Sequence, residues 1–145
     1  KLIGELMCLL RKGGVLAVQI PMNFNEPIQK IIKEVSTSGK WKGYFPEARV
    51  YNTLSQGEYF DILSELTDNF DLWETVYYHV MKSHDDILEW YRSTGLRPYL
   101  NVLDKEKQAD FENDIMERLR KSYPVQKNGE VIFRFPRFFF VAYSK

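Results

Sequence analysis

Apolar residues recur along this chain with two periods, and the changes between them mark out its elements. Leu2, Leu6, Leu9 and Leu10 share one helical face, with Ile3 and Met7 beside them, which predicts a helix over 2–11. Gly13-Gly14 closes it, because glycine accepts the left-handed backbone that other residues resist. The run "VLAVQI" then predicts a strand buried on both faces, as in a parallel sheet. Pro27 suits a first helical turn, and Ile28, Ile31, Ile32 and Val35 follow at helical spacing. No period runs through "SGKWKGYFPEARVYN", which predicts a long loop carrying Tyr44 as a weak candidate for function.

Ser55 and Glu58 have the spacing of a capping box, with Leu54 and Tyr59 placed as a hydrophobic staple. Tyr59, Ile62, Leu63 and Leu66 supply the apolar stripe of that helix. "FDLWETVYYHVM" alternates as a strand does, so Trp73, Tyr77 and His79 share a face opposite Leu72, Val76, Tyr78 and Val80. Ser83 and Asp86 repeat the capping-box spacing before a helix with Ile87, Leu88, Trp90 and Tyr91. Gly95 ends that helix, and Pro98 is expected to prevent its renewal. A further helix over about 104–122 turns Phe111, Ile115 and Leu119 inward and pairs Asp114 with Arg118 and Glu117 with Lys121. Asn128-Gly129 makes a turn, and "VIFRF" and "RFFFVAY" end the chain as β structure with a bend at Pro136. The order of elements is that of one α/β domain over 1–145.

Composition excludes more than it assigns. Twenty basic and twenty acidic residues cancel, and no basic block suggests a nucleic-acid surface. The longest apolar runs are far too short to span a bilayer. No small-residue cleavage site follows the first apolar segment, which argues against a signal peptide. Cys8 stands alone, so no internal disulfide forms and a cytoplasmic setting fits; its side chain is expected to be a small buried hydrophobe. The start without methionine, inside an apolar pattern, suggests a fragment of a longer protein.

Self-contained catalytic chemistry is missing. His79 and His84 are the only histidines and lie in no metal-ligand spacing. Neither a G-x-S-x-G elbow nor a Gly-rich phosphate loop occurs, so no catalytic residue and no metal site are assigned.

"LLRKGGVLAVQIP" resembles the segment leading into and through the fifth strand of class I S-adenosylmethionine (SAM)-dependent methyltransferases. "QIPMNFNEP", "YYHVMKSHDDILEWYRSTGLRPYL" and "YPVQKNGEVIFRFPRFFFVAYSK" extend the resemblance to the C-terminal part of members that esterify small polycarboxylic acids such as trans-aconitate. The resemblance implies a Rossmann-like α/β fold with a mixed sheet. Strands five, six and seven would be present here, the last antiparallel between the other two, and the helices of about 83–123 would form a substrate cap. SAM is the implied cofactor, but its Gly-rich loop and ribose-holding acid belong to an N-terminal part absent from this chain. Weak SAM binding and no activity are therefore expected of residues 1–145 alone.

The implied reaction needs no general base, because a carboxylate is already ionised at neutral pH. It needs a tricarboxylate held in line with one carboxylate left free, a task that suits arginine's planar fork. The substrate-binding candidates are Arg97, His79, Tyr77, Arg137 and Asn23. Competing readings remain open for each: Arg97 as a helix cap or surface ion pair, His79 as a hydrogen-bonded core histidine, and Tyr77 as core. For Arg137, like Arg134, the alternative is an edge charge that discourages strand pairing; for Asn23, like Gln19 and Pro21, it is loop structure. Trp90 is expected in the core. The alternative for the chain as a whole is a noncatalytic α/β binding module that dimerises through an exposed sheet edge.

Overall fold

A computed structural model describes residues 1–45 and 52–145. In chain order the elements are α1 (Leu2–Cys8), β1 (Val15–Pro21), α2 (Pro27–Ser36), α3 (Gln56–Leu66), β2 (Phe70–Met81), α4 (His84–Arg92), α5 (Arg97–Leu100), α6 (Lys105–Ser122) and β3 (Val131–Tyr143). The sheet order is β1-β3-β2, and β1 pairs antiparallel with β3 from Val15↔Tyr143 to Pro21↔Arg137. The expected α/β class and the place of the last strand between the other two are both observed.

The residues divide into two compact units. The first comprises Lys1–Met22, Tyr51–Val76 and Pro136–Lys145; the second comprises Asn23–Val50 and Tyr77–Phe135. In the first unit Met7, Tyr59, Leu63, Phe138, Phe140 and Ala142 form the buried cluster, with Ile3, Leu10, Leu54 and alternate β1 residues packed against it. The inward stripe of α1 is thus Ile3, Met7 and Leu10, while Leu2 and Leu9 face outward, Leu9 being 81% exposed. The helix stops at Cys8, and that side chain is exposed rather than buried. Gly13 does adopt a left-handed backbone, with φ of 71°, in the turn that follows.

β1 is half-buried and exposed by turns, not buried on both faces as its composition suggested. It lies at one end of the strand order, so only Leu16, Val18 and Ile20 reach the core. β3 runs unbroken through Pro136 instead of splitting there. The proline lacks an N–H, and the β1–β3 pairing ends one residue before it; its carbonyl still accepts the Met22 N–H. The Ser55–Glu58 capping box at α3 is complete.

In the second unit, Ile28, Ile31, Ile32 and Val35 of α2 are buried as their spacing requires, with Phe111, Ile115 and Leu119 of α6 in the same cluster. The loop after α2 carries Trp41, only 2% exposed, whose ring meets Phe111 edge-on at 5.0 Å. Residues 46–51 of the predicted loop lie outside the described residues. Ser83 makes no side-chain cap; Asp86 accepts the Lys82 N–H instead. Gly95 is required for space, since a Cβ there would stand 2.4 Å from Cδ1 of Tyr91. Pro98 does not prevent helix renewal: it lies in the first turn of α5, where a missing N–H costs nothing. Tyr123 ends α6, and its hydroxyl accepts the Ile28 N–H at 3.2 Å; burial raises its pKa to about 12, so it stays protonated.

Neither charged pair predicted within α6 forms among the described residues: Asp114 and Arg118 find partners outside the helix, and Glu117 and Lys121 make no ion pair there. Asp114 accepts from Trp41 Nε1 at 2.6 Å and Lys40 Nζ at 2.9 Å, and Arg118 reaches Glu34 at 3.0 Å. Burial pushes the Asp114 carboxyl up, but the Trp41 and Lys40 hydrogen bonds outweigh it and hold the group below the ordinary carboxylate value. Asp114→Ala strands the Trp41 N–H and should cost about 1–3 kcal/mol in urea unfolding at neutral pH. A depressed carboxyl pKa stabilises above its unfolded value of about 4 and loses that contribution as pH falls through the lower folded value. The gap between parent and variant should therefore narrow in acid, and a gap unchanged at about pH 3 would remove the carboxylate as its source.

Candidate functional site

Tyr77 and His79 lie two apart on β2 and therefore on one face. Their rings stack 5.9 Å apart with 10° between planes. Around the imidazole stand Trp90 at 5.0 Å, Phe135 at 6.1 Å and Phe133 at 6.3 Å. Phe133 and Phe135 alternate on β3, so both rings reach the same side, and α4 delivers Trp90. Trp90 is 37% exposed and forms the rim of this cluster rather than core, and Tyr77 is exposed as well.

His79 Nε2 is buried and has no hydrogen-bond partner among the described residues. This departs from the hydrogen-bonded core histidine that was the alternative reading. A buried polar atom left unpaired costs about 1–3 kcal/mol, so such atoms call for an explanation. Here the walls are aromatic, and the unsatisfied nitrogen sits among rings that offer no strong acceptor or donor of their own.

Asn23 follows β1 and is buried; its Nδ2 donates to the Tyr91 hydroxyl at 2.9 Å, which also receives Gln29 Nε2 at 3.4 Å. Tyr91 in turn meets Phe133 edge-on at 6.1 Å. Asn23 is thereby linked through two rings to the histidine cluster, with its amide N–H committed to structure. Glu26, almost fully buried, ion-pairs with Arg134, so that arginine is already engaged. His84 donates from Nε2 to the Tyr123 carbonyl at 2.8 Å and serves as a structural tie.

Arg97 opens α5 and is exposed. Among the described residues its guanidinium makes no ion pair, and backbone N–H groups of Thr94 and Leu96 cover the Tyr91 carbonyl at the end of α4. Arg92, by contrast, is held by two nitrogens on Glu112. Arg137 belongs to the other unit, where it donates to Gln19 Oε1. Tyr44 is partly exposed, with Lys107 Nζ 5.8 Å above its ring. The structure thus brings Tyr77 and His79 together, and ties Asn23 to them indirectly. The sequence reading missed Phe133, Phe135 and Tyr91 as walls, although the odd-numbered alternation of aromatics in "VIFRF" signalled a shared face.

No protein-family model matches the chain. Curated proteins do. The chain is 40% identical over 142 residues to a trans-aconitate 2-methyltransferase of Escherichia coli O7:K1, covering 98% of this chain and 55% of the relative. It resembles the C-terminal part of trans-aconitate 2-methyltransferases. The enzyme of that name from Agrobacterium fabrum is 40% identical over 145 residues, covering 99% of this chain and 57% of its own length. The one from Enterobacter sp. is 41% identical over 141 residues, with 97% and 54% covered. The chain therefore spans about half the length of the curated relatives it matches.

Two turns among the described residues place a glycine in the left-handed backbone region. Gly13 and Gly129, the glycines with positive φ among them, direct their N–H groups to the Ser144 and Gln126 carbonyls. Neither turn keeps the open backbone donors that a Gly-rich cofactor loop presents. Among the same residues no group of three His, Cys, Asp or Glu side chains is placed to hold a metal ion, and no helix is long and apolar enough to cross a membrane.

His79→Phe separates strain from structure. Replacing an unsatisfied buried nitrogen by a ring of similar shape should leave stability unchanged or raise it. A loss of more than about 1 kcal/mol in urea unfolding would mean that Nε2 is satisfied after all.

Proposed function

We infer that the chain is the C-terminal, substrate-side part of a SAM-dependent methyltransferase that esterifies one carboxylate of a small polycarboxylic acid such as trans-aconitate. The observation that carries this reading is the buried, unpartnered Nε2 of His79 inside an aromatic cluster rimmed by exposed Tyr77 and Trp90. A ligand that brings an oxygen to Nε2 would remove an existing cost, which is a direct source of binding free energy. The resemblance to named trans-aconitate 2-methyltransferases supplies the reaction class and the acid.

The residues have limited and specific tasks in this reading. A carboxylate requires no deprotonation at neutral pH, so the chain's role is to hold the acid, orient it and keep water away. His79 meets an oxygen of the bound acid, Tyr77 and Trp90 cover its carbon skeleton, and Arg97 receives a carboxylate that does not react. Asn23 acts through Tyr91 as a positioning residue. The helices between residues 83 and 123 form the substrate cap. SAM is held chiefly by residues that the relatives carry beyond the matched half, so residues 1–145 alone are inactive.

Methyl transfer from SAM to trans-aconitate, assayed on the full-length protein, tests the reading; no ester product with any tricarboxylate would end it. Arg97→Ala should raise KM for the acid by roughly 10- to 100-fold, the worth of a charge-assisted hydrogen bond, with SAM affinity unchanged. Kinetics identical to the parent would return Arg97 to a structural role. Calorimetry of residues 1–145 with SAM should show no saturable binding, and micromolar affinity there would contradict the assignment of the cofactor site to the other half.

A further inference from the structure

One face of α2 and the last turns of α6 flank an open cleft of about 320 Å³ lined by Pro27, Lys30, Ile31, Glu34, Arg118, Lys121 and Ser122. Two ties brace its sides. The Ile28 N–H donates to the Tyr123 hydroxyl at 3.2 Å, and Arg118 Nη1 donates to Glu34 Oε2 at 3.0 Å. The floor is apolar, with Ile31 buried in the core and Pro27 fixed at the start of the helix. Three cationic side chains and one carboxylate line the cleft, Lys30 and Glu34 from α2 and Arg118 and Lys121 from α6, which leaves a local excess of two positive charges on a chain with no net charge.

The individual groups have capacity to spare. Lys30 and Lys121 make no ion pair among the described residues, and Ser122 likewise keeps its hydroxyl free there. Arg118 uses one nitrogen on Glu34, which holds the guanidinium in place and leaves its remaining N–H groups available. Among the described residues the Glu34 carboxylate pairs with that arginine alone, so an incoming anion meets one anchored guanidinium and two ammonium groups without ion-pair partners there.

We propose that this cleft binds a phosphate dianion, as inorganic phosphate or as a small phosphate monoester. A dianion matches the excess charge of the lining, and a phosphoryl group presents three terminal oxygens to three cations and a hydroxyl where a carboxylate presents two. The volume holds a phosphoryl group with a small organic substituent against the Pro27–Ile31 floor. None of these residues belongs to the acid-binding cluster around His79, so the site is separate from the one assigned above.

Calorimetric titration of the full-length protein with inorganic phosphate and with phosphoserine, at constant ionic strength, tests this. Saturable binding is expected, weakened at least tenfold by the exposed double substitution Lys30→Gln with Lys121→Gln, and unaffected by saturating trans-aconitate. Tighter binding of phosphoserine than of phosphate would identify the monoester as the ligand, and the reverse would identify the free anion. Absence of saturable heat with both, equal affinity in the double variant, or competition by trans-aconitate would each overturn the assignment.

Discussion

Burial of Phe133 is the constraint on which the second unit is arranged. Its ring is fully enclosed, and Tyr91, Tyr123, Trp90, Phe135 and His79 all place their rings within 6.3 Å of it. Those five residues come from α4, the end of α6, β2 and β3 itself. A single apolar side chain therefore sets where the phenol of Tyr91, the phenol of Tyr123 and the imidazole of His79 lie. Aromatic pairs of this kind favour tilted and edge-on geometry over face-to-face stacking, which holds the rings in definite orientations.

The polar atoms around that ring meet different fates, and the difference marks out the candidate site. Tyr91 receives Asn23 and Gln29, Tyr123 receives the Ile28 backbone, and both remain structural. His79 Nε2 receives nothing among the described residues. An interior this thorough in satisfying its other polar groups makes one unsatisfied nitrogen informative, because the cost persists unless something offsets it. The same contrast runs through the arginines of this unit. Arg92, Arg118 and Arg134 pair with Glu112, Glu34 and Glu26, whereas Arg97 and Arg120 are exposed and make no ion pair among the described residues.

Several expectations failed for the same physical reason. Periodicity places residues on a face, but it does not say which face meets a neighbour. In α1 the two apolar stripes compete, and Ile3, Met7 and Leu10 face inward, leaving Leu2 and Leu9 outside. Ser83 and Asp86 had the spacing of a capping box, yet Asp86 turned to the Lys82 N–H. Asp114 and Arg118 were spaced to pair with each other, yet each found a better partner on another segment, in one case a buried indole N–H that has no other acceptor among the described residues.

Local chemistry was enough to determine the elements. The isoleucine spacing of α2, the capping box of α3, the alternation of β2 and the apolar run of β3 each favour one backbone form from residues close in the chain. It also placed Tyr77 and His79 on one face, since alternation follows from strand geometry alone. Tertiary structure decided which of those faces is enclosed, which carboxylate serves which cation, and which nitrogen goes without a partner. These depend on contacts between residues tens of positions apart, such as His79 with Phe133 and Asp114 with Trp41. Such contacts form only when whole elements pack, and no local pattern carries them.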